Sequence, residues 1–337
     1  MPDLDQVRLG DWLRCNVEGF RGPFSIAKFP GGQSNPTYAI AAASGGYVLR
    51  RQPFGAILPS AHAVEREYAI LGALHPTGFP VPKTFALCLE HEVIGSRFYV
   101  MERVHGCNYW DGALPEISRR DRSAVYASII DTLGDLHSID AKLVNPEADT
   151  KGRGYFGRQV RRWTAQYRAT QTEEVEAVER LIEWLPSRLP EQGQVSIVHG
   201  DYRIDNLIFD CGNSVRAVID WELSTVGDPV ADLTYLLMNW VMEADGRAAL
   251  GGLDLSMLGL PSLDDAIARY ASRTGFAVPM KLDWYFAFNM FRGAAIIQGI
   301  RHREMHGNAS SGDTGPVIAK LRPFAEAGWT LARRAGA

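Results

Sequence analysis

Residues 198–209 of the chain read Val198-His-Gly-Asp-Tyr-Arg-Ile-Asp-Asn-Leu-Ile-Phe209, and residues 219–222 read Ile219-Asp-Trp-Glu222. Two short apolar runs flank a loop that is rich in Asp and Asn, and a further carboxylate, Asp220, follows after a turn-rich segment. Carboxylate and amide oxygens are ligands that Mg2+ prefers, and Mg2+ commonly binds together with phosphate groups. The stretch therefore predicts an acidic pocket at the end of a hairpin, suited to magnesium and a phosphorylated nucleotide.

The bulk composition is that of a globular protein. The chain has 337 residues, of which 46% are hydrophobic and 22% are charged, enough for one large or two modest domains. Its formal charge of -4 gives no reason to expect nucleic acid as a partner. The four cysteines are far apart in the sequence, which indicates neither a zinc site nor a disulfide framework.

No targeting or membrane segment is expected. Residues 1–5 lack the basic region and apolar run of a signal peptide. The most apolar long stretch, 282–300, contains polar side chains such as Asp283 and Arg292, which favours a buried helix over a membrane span. The expected location is the cytoplasm, with no membrane partner.

Residues 20–104 have the pattern of strands with one helix. Strands are predicted over residues 24–29, 37–41, 46–50, 85–89 and 97–101. The first two would form a hairpin around the glycine-containing segment 30–36. A helix is predicted to open at Ser60, because apolar residues then recur at the spacing of one buried helix face, at Val64, Tyr68, Leu71 and Leu74.

The pattern becomes helical from about residue 105. Apolar residues recur at helical spacing in seven segments, which are 118–138, 155–168, 173–185, 229–245, 262–273, 281–304 and 315–333. Asp228 followed by Pro229 is typical of a helix start. We therefore predict an α+β chain, with a small β-rich lobe over residues 1–104, a larger helical lobe over 105–337, and a ligand site in the cleft between them.

The acidic stretch also predicts its own local geometry. Residues 207–209 and 215–219 are apolar runs separated by turn-forming residues, which is the pattern of a hairpin. If these runs pair, Asp220 lands within a residue or two of Asn206, and both could reach one Mg2+ ion. Asp201 could then accept or orient a hydroxyl proton during attack on a γ-phosphate. The competing interpretation is a surface turn without chemistry.

The residues of this stretch resemble a known family. His199-Gly-Asp-x-x-x-x-Asn206 followed by Ile219-Asp-Trp-Glu222 resembles the aminoglycoside phosphotransferase and choline kinase family. Members of that family are relatives of the protein kinases, so the resemblance implies a two-lobed, protein-kinase-like fold. It covers about residues 24–240 and implies that ATP and Mg2+ are the cofactors.

The resemblance also implies a role for individual residues. Asp201 would be the catalytic base, and Asn206 and Asp220 would bind Mg2+. His199 would be a structural member of the catalytic loop. Asp232 would brace that loop from below.

The segment Gly31, Gly32, Ser34 and Asn35 is a candidate phosphate-binding turn. Main-chain amides in such a turn can approach phosphates without a Cβ in the way, although an ordinary hairpin turn is the simpler interpretation of two glycines. The sequences of residues 32–38 and 58–68 also resemble a subgroup whose kinase domains are fused to, or encoded beside, acyl-CoA dehydrogenases. That resemblance implies association with such an enzyme.

The third predicted strand carries Arg50 where a kinase normally offers a lysine to the nucleotide phosphates. An arginine is always charged and presents a wide fork, so the geometry differs, but it could still clamp phosphate oxygens. Glu67 lies on the buried side of the following helix and should not be left unpaired. We predict an Arg50–Glu67 ion pair, with Glu65 as a second candidate partner. The alternative is that Arg50 and Arg51 are edge charges that face solvent.

Residues 101–104, Met-Glu-Arg-Val, resemble the hinge that receives adenine in this family. Main-chain groups of Glu102 and Val104 would bond the base, and Met101 would line its pocket. The simpler alternative is a strand end with apolar residues.

Three functions follow from these features. The first is an ATP-dependent kinase that acts on the hydroxyl group of a small molecule. The second is a nucleotide-binding pseudokinase in which Arg50 marks lost catalysis, and the third is a scaffold partner of an acyl-CoA dehydrogenase. Because residues 281–337 contain several arginines and no clear acidic cluster, a neutral or anionic acceptor is favoured over a polycationic aminoglycoside. The resemblance to the acyl-CoA dehydrogenase subgroup implies a hydroxyacyl compound as one such acceptor.

Overall fold

The computed structural model describes residues 4–29, 35–53, 64–306 and 314–337. Its strands are β1 Phe24–Lys28, β2 Thr37–Ala42, β3 Gly45–Arg51, β4 Thr84–Cys88, β5 Phe98–Glu102, β6 Ser196–Val198, β7 Leu207–Phe209, β8 Val215–Val218 and β9 Thr225–Gly227. Its α-helices are α1 Gln6–Asn16, α2 Val64–Leu74, α3 His91–Ile94, α4 Arg119–Ser138, α5 Ala148–Lys151, α6 Tyr155–Thr170, α7 Glu176–Ser187, α8 Val230–Leu237, α9 Leu255–Leu258, α10 Leu263–Thr274, α11 Asp283–Met305, α12 Gly315–Ile318 and α13 Leu321–Arg334.

The chain divides into two compact units. The first unit contains Met1–Asn108 and Asn206–Ser224, and the second contains Tyr109–Asp205 and Thr225–Ala337. The first unit thus includes a segment from beyond the middle of the chain. The division into residues 1–104 and 105–337 stays a prediction.

The first unit is built on a five-stranded antiparallel sheet with the order β1-β2-β3-β5-β4. The five predicted strands of this region are confirmed, with ends that shift by one or two residues. Strand β5 lies between β3 and β4, so Arg50 on β3 is directly opposite Tyr99 on β5. This register places the side chain of Arg50 in the middle of the sheet.

Helix α1 of the first unit was not predicted from the sequence. Asp5 caps it, because its Oδ1 accepts from the N–H groups of Val7 at 3.1 Å and Arg8 at 3.0 Å. Leu9 and Leu13 are fully buried in the core of this unit. A capping Asp followed by apolar residues four apart was the available signal.

Helix α2 is described from Val64 onward, so its predicted start at Ser60 lies outside the described residues. The predicted buried face is confirmed at Val64, Leu71 and Leu74, and Glu67 is buried on the same face. A carboxylate in this position requires a partner from the rest of the unit.

The predicted hairpin of the acidic stretch is present in the first unit. Strands β7 and β8 pair with Leu207 opposite Val218, and the N–H of Ile219 donates to the carbonyl of Asn206 at 3.0 Å. Asp220 therefore follows directly after the residue that is bonded to Asn206, as predicted. The side chain of Asp210 closes the turn, since it accepts from the N–H groups of Gly212 and Ser214.

The second unit is mainly helical, and its predicted helices are confirmed with two corrections. The predicted helix 229–245 was too long: α8 ends at Leu237 and continues only as a 3-10 turn, Met238–Trp240. The chain then turns, and the carbonyl of Asn239 accepts from the N–H of Leu250 at 2.7 Å instead of from a further helical turn. The predicted helix 315–333 is interrupted at residues 319–320, between α12 and α13.

Helix α11 forms the centre of the second unit and confirms the predicted buried helix. Its aromatic residues are core residues, with Trp284 stacked on Phe288 and both rings within 5.5 Å of Phe156 on α6. None of the described helices is both long and apolar enough to cross a membrane.

The start of α8 gives a prediction about pH. Asp228 is buried, its Oδ1 accepts from the N–H of Val230 at 2.9 Å, and burial raises its pKa to about 6. Because the pKa is raised in the folded state, this group contributes stability that is complete below about pH 4 and is lost as the pH rises through about 6.

We expect Asp228→Asn to remove this loss, because the amide oxygen still accepts from Val230 and carries no charge. In urea unfolding at about pH 8 the variant should be more stable than the wild type by about 2 kcal/mol, and at about pH 3.5 the two should converge. A variant less stable than the wild type at the higher pH would contradict the argument.

Candidate active site

The loop after β6 is held by a buried carboxylate of α8. Asp232 accepts from the N–H of His199 at 2.5 Å through Oδ2 and from the N–H of Gly200 at 2.8 Å through Oδ1. Gly200 has a φ of 84°, a left-handed conformation that favours glycine. Burial by itself raises the pKa of Asp232, but the hydrogen bond with His137 and the neighbouring histidines and amides hold it below its ordinary value. Asp232 is thus placed as the predicted brace, and His199 is fully buried beside it.

Asp201 follows directly on this braced main chain. Its N–H donates to Nδ1 of His199 at 3.1 Å, and its side chain is 20% exposed. The hydroxyl of Tyr235 donates to Oδ1 of Asp201 at 2.8 Å, and Nε of Arg203 lies 3.4 Å from Oδ2. The carboxylate is therefore oriented by its surroundings while part of it stays accessible.

Tyr235 and Arg292 are site residues that the sequence analysis missed. Arg292 on α11 is 6% exposed, donates to the carbonyl of Gly200, and lies over the ring of Tyr235 at 4.8 Å from its centre. Tyr235 is three residues after Asp232 and therefore on the same face of α8. That spacing, and an arginine inside an apolar helix, were the only signals available.

The two candidate magnesium ligands lie in the first unit. Asn206 is 7% exposed, and the side chain of Asp220 is 34% exposed. Asp220 has a φ of 68°, which is uncommon for a residue other than glycine and marks the position after β8 as specially shaped. Both side chains carry oxygen atoms, so the donor set fits Mg2+.

No group of three or more His, Cys, Asp or Glu side chains within the described parts of the chain is arranged to hold a metal ion. A site with one carboxylate and one amide fits Mg2+ in the way that nucleotide enzymes bind it, with phosphate oxygens and waters as the remaining ligands. The residues present therefore suit a metal that arrives with a phosphorylated ligand.

Arg50 is surrounded by carboxylates. Its Nε lies 2.9 Å from Oε2 of Glu67, and its Nη2 lies 2.6 Å from Asp220 and 3.4 Å from Glu222. Burial alone would lower the pKa of Arg50, but Glu67 and the other carboxylates raise it above its ordinary value. The ion pair predicted between Arg50 and Glu67 is present, and the contact with Asp220 was not anticipated.

Two alternative predictions for this strand, a Glu65 partner for Arg50 and solvent-facing edge arginines, are wrong. Glu65 pairs with Arg97 at 2.6 Å, so it is not the partner of Arg50. Arg50 and Arg51 are not edge charges in solvent, because the side chain of Arg50 is 11% exposed and Arg51 is buried at 3%. The reason is that β3 lies inside the sheet, between β2 and β5.

Glu67 has three partners, which are the ion pair with Arg50 and two hydrogen-bond donors. Besides Arg50, its Oε1 accepts from Nδ2 of Asn35 at 2.9 Å and its Oε2 accepts from the hydroxyl of Tyr99 at 3.0 Å. Burial raises the pKa of Glu67, and the charge of Arg50 opposes that rise. The side chain of Asn35, predicted to belong to a phosphate-binding turn, is buried and directed at Glu67. The other predicted turn residues, Gly31, Gly32 and Ser34, lie outside the described residues.

The predicted hinge residues end strand β5. Met101 is buried opposite Val48, and Val104 is half-buried. The N–H of Glu102 donates to the carbonyl of Lys83 at 2.8 Å. The N–H of Glu102 is therefore already bonded within the unit.

Comparison with known proteins gives the family and the fold of the chain. The model of the phosphotransferase enzyme family matches residues 25–269. A solved structure from Ralstonia eutropha, provisionally described as an aminoglycoside phosphotransferase, is 40% identical with a TM-score of 0.86, over 98% of this chain and 99% of that one. The choline kinase of Streptococcus pneumoniae has a TM-score of 0.63 at 15% identity, over 97% and 98% of the two chains, and shares the fold.

A curated relative belongs to the predicted subgroup. Mouse acyl-CoA dehydrogenase family member 10 is 40% identical over 94% of this chain. The chain spans 30% of that protein and 43% of human acyl-CoA dehydrogenase family member 11, so it corresponds to less than half of each. The resemblance stated from the sequence motifs and the protein-kinase-like fold are confirmed.

The buried ion pair gives a prediction with a matched control on the same helix. We expect Glu67→Gln to lower the free energy of unfolding by about 3 kcal/mol, because it removes the buried negative charge that pairs with Arg50 and places an NH2 group where Asn35 or Tyr99 donates. Glu65→Gln, which loses only a pair with the surface residue Arg97, should cost less than about 1 kcal/mol. Urea unfolding of both variants measures the difference, and equal losses would contradict the role assigned to Glu67.

Proposed function

This chain belongs to the phosphotransferase enzyme family, and we propose that it transfers the γ-phosphate of ATP, with Mg2+, to a hydroxyl group of a small molecule. The observation that carries the proposal is that Asp201 is both fixed in position and partly exposed. Its carboxylate is 20% exposed, and it stands on a loop whose main chain is fixed by Asp232. A fixed, accessible carboxylate is what orientation of an acceptor hydroxyl requires.

ATP is the proposed phosphate donor. A spectinomycin phosphotransferase with this fold, 12% identical to this chain, was solved with ADP and spectinomycin. Arg50 would contact the phosphates, with Glu67 holding the guanidinium and Asn35 holding Glu67. Gly31, Gly32 and Ser34 would supply main-chain amides to the phosphates. Such a site works by position and charge, without a covalent intermediate.

The adenine would be received at the end of β5. Met101 would line the pocket, while the carbonyl of Glu102 and a main-chain group of Val104 would bond the base. The N–H of Glu102 already donates to the carbonyl of Lys83, which supports an assignment in which the base bonds the carbonyl of Glu102 and not its N–H.

Asn206 and Asp220 are the proposed Mg2+ ligands. Bound Mg2+ neutralises the charge of the transferred phosphate. Asp220 contacts Arg50 at 2.6 Å, so in this proposal one carboxylate would pair with the guanidinium and also bind the metal. We propose that nucleotide phosphates share the Arg50 fork with this carboxylate, since a guanidinium has five N–H donors.

The acceptor that we favour is a neutral or anionic hydroxyl compound such as a hydroxyacyl group. The kinship with acyl-CoA dehydrogenase family members supports it. Arg292, buried beside Gly200, also disfavours a polycationic acceptor close to Asp201. An aminoglycoside is the alternative acceptor, supported by the description of the Ralstonia eutropha protein.

A second candidate function is nucleotide binding without transfer. The contact between Arg50 and Asp220 favours it, because this pair already satisfies part of the charge that a phosphate and a metal would use. The oriented carboxylate of Asp201 favours catalysis instead. Binding of ATP and Mg2+ by the wild type, with no transfer to any acceptor, would support this second function.

The kinase proposal predicts a separation of binding from turnover. With a panel that includes hydroxyacyl compounds and aminoglycosides, Asp201→Ala should lower kcat at least about 100-fold while the affinity for ATP stays the same. Asp140→Asn, which changes an exposed carboxylate that caps a short 3-10 helix, is the control and should keep wild-type turnover. Equal, acceptor-dependent turnover in Asp201→Ala and the wild type would remove Asp201 from its role.

The proposed partner is an acyl-CoA dehydrogenase. The support is that relatives named as members of the acyl-CoA dehydrogenase family contain a segment similar to 94–98% of this chain. We expect the chain and an acyl-CoA dehydrogenase from the same organism to elute together on gel filtration. Separate elution at micromolar concentrations would contradict a stable complex.

A further inference from the structure

We propose that Tyr235 is a positioning residue for Asp201, and that Arg292 fixes Tyr235 in that role. This inference rests on the proposed phosphotransfer, because it assigns the residues that orient the carboxylate used there. The parts come from two helices, α8 and α11, of the second unit.

The hydrogen bond between Tyr235 and Asp201 defines the orientation. The hydroxyl of Tyr235 donates to Oδ1 of Asp201 at 2.8 Å. A donor on one oxygen restricts rotation of the carboxylate about its terminal torsion, which is otherwise broad. Nε of Arg203, on a side chain that is 44% exposed, faces the other oxygen at 3.4 Å. Tyr235 is partly buried whereas Arg203 is exposed, so the contact from Tyr235 is the more constrained of the two.

One face of α8 serves two parts of the same loop. Asp232 holds the N–H groups of His199 and Gly200, and Tyr235, three residues later, holds the side chain of Asp201. Residues three apart lie on one face of a helix. The main chain of the loop and the carboxylate of Asp201 are therefore both held by α8. A change in Tyr235 should therefore affect the direction of the carboxylate and leave the path of the loop intact.

Arg292 limits the movement of the tyrosine ring. Its guanidinium carbon lies 4.8 Å from the centre of the Tyr235 ring and 5.3 Å from that of Trp163, and its Nη2 donates to the carbonyl of Gly200. The cation thus contacts two aromatic rings and is hydrogen-bonded to the residue before Asp201. Its positive charge also favours the tyrosine as a donor, since it draws electron density from the ring.

The phenol of Tyr235 remains protonated under ordinary conditions. Burial and the negative charge of Asp201 raise its pKa above the ordinary value, against the opposing charges of Arg203 and Arg292. Tyr235 is therefore a constant donor to the carboxylate and not a second base. This property separates its role from that of Asp201.

The test compares Tyr235→Phe with Tyr126→Phe in the full chain. Tyr126 is a buried tyrosine of the same unit whose hydroxyl donates to the carbonyl of Gly112 at 2.8 Å, and not to a residue of the loop. Both variants lose one tyrosine hydroxyl, so both should lose similar thermal stability. Tyr235→Phe should also lower kcat by about tenfold, the factor that one hydrogen bond to a charged group supplies, with the KM for ATP unchanged. Tyr126→Phe should keep the wild-type kcat.

Crystal structures of the wild type and Tyr235→Phe provide a readout that does not depend on turnover. A rotated Asp201 carboxylate in the variant, on an unchanged loop, supports the inference. An unchanged carboxylate, or a kcat equal to that of Tyr126→Phe, overturns it. If the wild type itself transfers no phosphate to any acceptor, the proposed function fails, and the crystallographic comparison still decides whether Tyr235 positions Asp201.

Discussion

The buried carboxylate of Asp232 is the constraint on which the loop of the second unit depends. Strand β6 ends at Val198, so the next two N–H groups leave the sheet, and Asp232 accepts both. An ionised carboxylate without partners inside a protein would cost several kcal/mol, whereas these charge-assisted bonds offset that cost only when the loop has this path. Burial of this charge therefore requires one loop conformation, and that conformation sets the direction of Asp201.

The first unit solves a related problem with a buried cation. An arginine in the centre of a sheet must be paired, and the fork of Arg50 lets Glu67 contact Nε while Asp220 and Glu222 contact Nη2. The ammonium of a lysine is a single point charge and could not face these carboxylates in the same way. The substitution at this position therefore changes how the acidic hairpin is held together, beyond any contact with a ligand.

Much of this arrangement could be predicted from the sequence because it is local. Alternation of apolar residues gives the sheet, the turn residues fix the hairpin register that places Asp220 next to the partner of Asn206, and helix periodicity turns Glu67 inward.

The contacts that were missed join distant segments. The sequence contains no local sign that Arg50 reaches Asp220 or that Arg292 lies over Tyr235, since such pairs depend on how whole elements pack. The end of α8 at Leu237 was also missed, because apolar residues continue past it while the main chain turns.

Helix α8 shows why stability and the candidate chemistry are joined in this chain. Asp228, Asp232 and Tyr235 follow one another at spacings of four and three residues, which places them along one face. The first accepts from the N–H of Val230 at the start of the helix, the second holds the main chain of the loop, and the third holds its carboxylate. A rotation or shift of the helix would move all three contacts together. The orientation of Asp201 is therefore as well defined as the packing of α8, and substitutions that loosen this helix should disturb the loop even where they do not contact it.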